Sequence, residues 1–329
     1  MDDSTNRLLV RVAQLYYLQD LNQEEIARRC NVSRSKVSRL LKEARDSGIV
    51  EIVIHPPAAF SLELERQLEA EFSLQEAVVV NGGVVVGNDV LGVVASAAAD
   101  YLQRVLKPGD VLGVSAGQTI ARIVQALPVR AYDNVSVVQV GSVGVRVGAP
   151  VAYSGRELAS QLARKLGCLD RLTTFPVPSV FDSQAIRDAI LADTGVKQAL
   201  AQLENCTIAL VGIGAFEPLS GIAGSLGITP DEMGELRAQG AAGEICTRFY
   251  DIHGIPCRTS LVKRHVGIDL EHLRSTPLVI GAACGSAKLA AILGALHGHY
   301  VKVLITDDAT AIKLLALARP STAAAEATA

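Results

Sequence analysis

The chain has 329 residues, of which 49% are hydrophobic but only 4% aromatic, with 28 glycines, no tryptophan and a formal net charge of −3. That length predicts two domains, and no apolar run reaches the about 18 residues of a membrane-spanning helix. The start, MDDSTNRLL, is acidic and polar, unlike a secretory signal, so a cytoplasmic protein with no membrane partner is expected.

Residues 5–19 carry an apolar stripe of Leu8, Leu9, Val12, Leu15 and Tyr16 at helical spacing, predicting a leading helix. Asn22 followed by Glu25 forms a capping-box pattern for a second helix, with Ile26 and Ala27 facing inward. Cys30, Asn31 and Val32 make a turn, and Ser33 caps a third helix that runs to about Ser47 and stops at Gly48. In that helix Val37, Leu40, Leu41 and Ala44 share the inward face, which leaves Arg34, Ser35, Lys36, Ser38, Arg39, Lys42 and Arg45 outside. Between Arg28 and Arg45 seven cations stand against Glu43 alone, although the whole chain is negative. Two capped helices joined by a short turn, the second cationic on its outer side, suit the major groove of DNA. Ser33, Arg34, Ser35, Lys36, Ser38, Arg39 and Lys42 are the candidate DNA contacts. The following IVEIVI run reads as a wing strand, so residues 1–55 are expected to be an all-α winged helix-turn-helix domain.

Pro56 and Pro57 break the chain, and a further helix begins at Ser61 with Leu62, Leu64, Leu68 and Phe72 separated by charges. Residues 56–76 are taken as a connector, either packing on the next domain or pairing with another subunit. From Ala77 short Val/Ile-rich runs alternate with helix-length segments: AVVVN, VLGVS, NVSVVQV, CTIALVGIG, PLVIGAACG and YVKVLIT. That rhythm predicts a Rossmann-like parallel α/β domain over 77–318, with ligands at the carboxyl ends of its strands. The small, polar residues 319–329 are expected to be a disordered tail.

The strand-end loops are the second signal. Gly113 to Thr119 leaves a strand and enters a helix, where Ser115, Gly117 and Thr119 with the helix start can receive an anion. The loop lacks the GK[ST] of a triphosphate-binding loop. Gly212 and Gly214 form a second strand-end pair, and Lys288 opens a helix on the same edge. Six scattered cysteines show no metal-ligand spacing, and His297 and His299 have no acidic or thiol partner nearby, so no metal and no cofactor are expected.

The stretch LYYLQDLNQEEIARRCNVSRSKVSRLLKEARDSGIVEI, together with GVSAGQT, LVGIGAF, GAAGEICTRFYDIHG and GSAKLAAILGALHGHYVKVLITDDATA, resembles the SorC family of bacterial sugar-responsive transcription regulators along almost the whole chain. The resemblance implies an effector domain with the fold of glucosamine-6-phosphate deaminase and ribose-5-phosphate isomerase. It also implies a phosphorylated sugar or polyol as effector, operator DNA as partner, and a homodimer or homotetramer. Carried onto this chain, it assigns Ser115, Gly117 and Thr119 to a phosphate, Lys288 to the same anion or a ligand oxygen, and Glu244 and Asp251 to sugar hydroxyls. Gly212 and Gly214 would let the backbone approach the ligand. The chain departs from the family at Cys284-Gly285-Ser286 and lacks the lysine some relatives carry in the loop Gln139 to Gly144. The rival reading is a sugar-phosphate isomerase or deaminase, with Asp251 and His253 as an acid/base pair. Such an enzyme would have no use for the N-terminal module.

Overall fold

The computed structural model describes residues 3–50, 61–82, 89–141, 153–175, 177–216 and 228–318. The chain divides into two compact units, Met1–His55 and Pro56–Ala329.

In the first unit, α1 (Asp3–Tyr17), α2 (Gln23–Cys30) and α3 (Arg34–Asp46) close on a core of Leu9, Val12, Ala13, Leu15, Ile26, Ala27, Val37, Leu40, Leu41 and Ala44. The capping box at α2 is complete: Asn22 Oδ1 accepts the Glu24 and Glu25 amides at 3.1 and 3.0 Å, and Glu25 accepts the Asn22 amide at 2.9 Å. Asn22→Ala is therefore expected to lower stability by about 1 kcal/mol, read as a lower denaturation midpoint. Asn31 takes a left-handed φ of 51° to end α2, and Ser33 Oγ then accepts the Lys36 amide at 3.2 Å to start α3. Gly48, at φ 74°, ends α3, where Val50 donates to the Ala44 carbonyl at 2.9 Å. One expectation is corrected. Tyr16 is exposed, lying edge-on to Tyr17, while Ala13 and Tyr17 join the core in its place. The small Ala13 side chain lets α1 settle closely on its neighbours, which turns the buried stripe away from Tyr16. Most of the expected wing strand lies outside the described residues.

The second unit begins with α4 (Leu62–Phe72) and β1 (Glu76–Val80), followed by α5 (Val90–Val105), β2 (Val111–Val114), α6 (Gln118–Ala126) and β3 (Ser136–Gln139). Next come α7 (Gly155–Lys165), β4 (Leu172–Thr173), α8 (Gln184–Ala192), α9 (Thr194–Ala201), β5 (Ile208–Gly212) and β6 (Gly214–Ala215). The remainder is α10 (Pro230–Ala238), β7 (Ala241–Ile245), β8 (Arg248–Asp251), α11 (Leu270–Ser275), β9 (Leu278–Ala282), α12 (Leu289–His297), β10 (Val303–Asp307) and α13 (Asp308–Ala318).

Each Val/Ile-rich run read as a strand from Ala77 onward is one, and the seven-stranded sheet, in the order β1-β10-β9-β5-β2-β3-β4, is parallel throughout. One apolar layer joins α4, α12 and α13 to the sheet; the other joins α5, α6 and α7 to its opposite face. The chain leaves β2 toward β3 and β4, then returns to place β5 on the other side of β2. This reversal is the topological switch point, where the strand ends splay and open a crevice. The short β4 and a separate antiparallel sheet, β6-β7-β8, were not expected from the sequence.

The connector helix is built into this unit. Glu65 and Glu69 accept the amides of Val79 and Ala77 on β1, both at 2.9 Å, and Leu68 and Phe72 enter the core. Of the two readings of residues 56–76, packing on the domain is what the described contacts show.

Candidate functional site

On the N-terminal unit, Ser33, Arg34, Ser35, Lys36, Ser38, Arg39 and Lys42 are all exposed, while the core takes Val37, Leu40, Leu41 and Ala44 of the same helix. Ser33 Oγ lies 3.0 Å from Ser35 Oγ as well as capping the helix. Arg34 approaches Glu24 at 3.9 Å with both side chains about 70% exposed, a pairing too weak to hold the guanidinium back from a phosphate or base.

The second cluster sits at the switch point. The Gly212 amide donates to Ser115 Oγ at 3.2 Å, tying the end of β5 to the end of β2. Ser115 is only 2% exposed, so its first task is to join these strands. Gly117 adopts φ 115° at the start of α6, and its amide donates to the Tyr153 carbonyl at 3.0 Å. Thr119 is buried in the first turn of α6, whose N-terminus carries no side-chain cap. Gly214 pairs with Glu244 across β6 and β7, and a methyl group added there would collide with the Glu244 carboxylate. Beyond Glu244 stands Lys288, at the end of a short 3-10 turn leading into α12.

Burial raises the Glu244 carboxyl above its ordinary value, against the Thr247 amide, which donates to it at 2.8 Å, and the pull of Lys288. Burial likewise lowers the Lys288 ammonium, against the pull of Cys284 and Glu244. The site thus holds two opposite charges, each short of water and without a direct ion pair to the other. For the folded protein a raised carboxyl means stability that is present at low pH and lost as the pH rises through the carboxyl's folded value. In Glu244→Gln, which keeps an oxygen for the Thr247 amide, that pH-dependent loss is expected to shrink. Thermal unfolding of both proteins across the acidic to neutral range measures it.

Asp251 does not join this group. Its Oδ1 accepts the amides of His253 and Ile255 at 2.9 and 2.8 Å, closing the turn after β8. The Asp251 carbonyl packs against Gly294, whereas Gly243, beside Glu244, packs against Ala291, so Asp251 lies about a helical turn farther along α12 from Lys288. In the imagined Asp251–His253 pair, the same turn engages Oδ1 of the carboxylate, with the His253 amide as one of its two donors.

Sequence reasoning passed over Gln139 as a site residue. It closes β3 in register with Val114, wholly buried beneath the start of α7, and among the described residues neither amide atom has a partner. An orphaned amide at the carboxyl end of a strand beside the crevice calls for a ligand or an internal water. A final Val/Gln alternation in a strand gave no signal of this. His297 donates from Nδ1 to the Ile252 carbonyl at 2.9 Å, and among the described residues no group of His, Cys, Asp and Glu is arranged to hold a metal ion. Nor is any described helix long and apolar enough to cross a membrane.

A helix-turn-helix unit with a cationic outer helix, followed along the chain by a parallel α/β domain, is the make-up of a DNA-binding transcription regulator. Residues 57–316 match the family model described as "Putative sugar-binding domain", and residues 11–47 match "Sigma-70, region 4". The chain is 36% identical over 310 residues to the sorbitol operon regulator of Klebsiella pneumoniae, covering 94% of this chain and 98% of that one. It is 32% identical over 315 residues to the deoxyribonucleoside regulator of Bacillus subtilis, covering 96% and 99%. The crystal structure of the full-length Klebsiella regulator SorC superposes with a TM-score of 0.70 at 34% identity, covering 96% of this chain and 99% of that one. The chain belongs to the SorC family of sugar-responsive transcription regulators. It is a DNA-binding regulator rather than an enzyme.

Proposed function

We propose that this regulator controls a carbohydrate-utilisation operon from the cytoplasm, binding its operator through α3 as a symmetric oligomer and releasing or tightening it on binding a phosphorylated sugar or polyol. The observation that carries the effector reading is the meeting of Ser115, Gly212, Gly214, Glu244 and Lys288 at the switch point. The α6 start and Lys288 supply the positive field an anionic group needs, and Glu244 supplies an acceptor for sugar hydroxyls. Gln139 adds a donor and an acceptor that lack partners among the described residues. Arg34, Ser35, Lys36, Ser38, Arg39 and Lys42, exposed on one helix, support the operator reading.

A free polyol is the second reading, favoured by the Gly117 amide and Ser115 hydroxyl already having protein partners. A thermal-shift screen of the purified protein against sugar phosphates, free sugars and polyols separates the two, since a ligand binding only the folded state raises the melting temperature as RT ln(1 + [L]/Kd). A shift with a phosphorylated compound supports the first reading. A shift confined to free polyols replaces it with the second, and no shift with any member removes both.

A further inference from the structure

The turn that carries Lys288 leaves β9 at Cys284 and reverses at Gly285, which holds a φ of 96°. It closes with the Lys288 amide donating to the Gly285 carbonyl at 3.1 Å. Gly285, Ser286 and Ala287 are exposed, so this arc has little packing of its own to fix it. An anchor is supplied from another element. The Gly285 amide donates to the Thr310 hydroxyl at 2.9 Å, and Thr310 is 2% exposed in the first turn of α13.

Thr310 is itself held. Its hydroxyl donates to Asp307 Oδ1 and its amide to Oδ2 at 3.2 Å, so one buried carboxylate at the end of β10 grips both groups. A carboxylate accepts, which sends the hydroxyl proton to Asp307 and leaves the oxygen's lone pairs for Gly285. Capping α13 needs only the Thr310 amide. The bond from the hydroxyl to Gly285 leaves the helix and serves the turn. Asp308 meanwhile accepts the Gly82 amide at 3.1 Å, tying the α13 start to the chain just after β1. The anchor is therefore fixed at its base.

We propose that Thr310 is a positioning residue of the effector site: its hydroxyl, aimed by Asp307, sets the turn that presents Lys288 to the ligand's anionic group. The part played by the ligand rests on the proposed effector reading; the anchoring of the turn does not. A serine keeps the hydroxyl and both its bonds. A valine matches threonine in shape but leaves the Gly285 amide without its acceptor. In Thr310→Val the turn loosens and Lys288 gains water. Burial lowers its ammonium, against the pull of Cys284 and Glu244, so added water moves it back up.

The test is trace acetylation of the full-length protein with acetic anhydride from neutral to strongly alkaline pH, read at Lys288 by peptide mass spectrometry. Acetylation follows the unprotonated amine, so the midpoint of its pH profile reports on Lys288, while Cys284 and Glu244 stay the same in every variant. Thr310→Val is expected to raise that midpoint toward the ordinary lysine value, and Thr310→Ser to leave it in place. Inorganic phosphate, as the anionic probe, should slow the labelling of Lys288 in the unaltered and serine proteins. In Thr310→Val it should need about ten-fold more phosphate to do so. A lower melting temperature in Thr310→Val with an unmoved midpoint makes Thr310 merely structural and overturns the proposal. Hydrogen exchange of the Gly285 amide in the unaltered protein needs no variant, and so decides the matter if Thr310→Val does not fold. It should be as slow as at Ala283, which donates to the Ile305 carbonyl at 3.2 Å. Exchange as fast as at the exposed Ala287 overturns the anchor. A raised midpoint in Thr310→Val without phosphate protection of the unaltered protein supports the anchor and removes the anion from Lys288.

Discussion

Arg34→Ala abolishes sequence-specific operator binding while the protein stays folded and ligand-responsive: this is the largest single effect expected on DNA. Arg34 stands in the first turn of α3, the part of such a helix that reaches base edges, and its side chain is 70% exposed. A bidentate arginine contact is worth about 1–3 kcal/mol, and a symmetric dimer loses it twice, so affinity falls by about two or more powers of ten. Stability should scarcely change, because the side chain is 70% exposed and its ion pair with Glu24, at 3.9 Å, is equally exposed. Lys42, a helical turn and more downstream, should behave differently. Lys42→Ala is expected to weaken binding to all sequences alike and to flatten the salt dependence by about one unit of slope per subunit. Titrations of operator and unrelated DNA at several salt concentrations distinguish the two, and unchanged operator affinity in Arg34→Ala would remove α3 as the reading helix.

The second large effect is expected at the other end of the molecule. Lys288→Ala should leave unfolding cooperative yet erase the melting-temperature rise caused by the effector. A charge-assisted hydrogen bond contributes about 1.5–3 kcal/mol, which is about a 10- to 150-fold weakening. The partly desolvated position of Lys288 places the effect toward the upper end, since burial already disfavours its bare ammonium. Operator release measured with the same ligand should move to correspondingly higher concentration. A full response in Lys288→Ala would shift the anion from this lysine to the α6 start alone.

Much of this was legible in the sequence because it is local. Caps at Asn22 and Ser33 and the stop at Gly48 are written within a few residues of the bonds they make. The parallel strands announce themselves as apolar runs because helices cover both faces of the sheet. The hairpin was not legible, since its turn is made by Cys246 and Thr247 instead of the Asn-Gly or Gly pairs that mark such turns. Asp251, which the family resemblance assigns to a sugar hydroxyl, has its Oδ1 engaged by the turn after β8, a contact that the residue order does not announce. Gln139 was invisible because its interest lies in partners that its amide lacks among the described residues, and a missing partner leaves no mark on the chain.

The helix α4 carries a lesson for anyone cutting this protein apart. Strand β1 closes one side of the large sheet, and the Glu65 and Glu69 carboxylates occupy the amides it would otherwise present to a neighbouring molecule. A fragment begun at residue 77, where the strand rhythm starts in the sequence, would bare a row of unsatisfied donors on an apolar ribbon. Such a ribbon recruits further strands, so that fragment is expected to clump in solution, while one begun at residue 56 stays dispersed. Light scattering of the two fragments would show it.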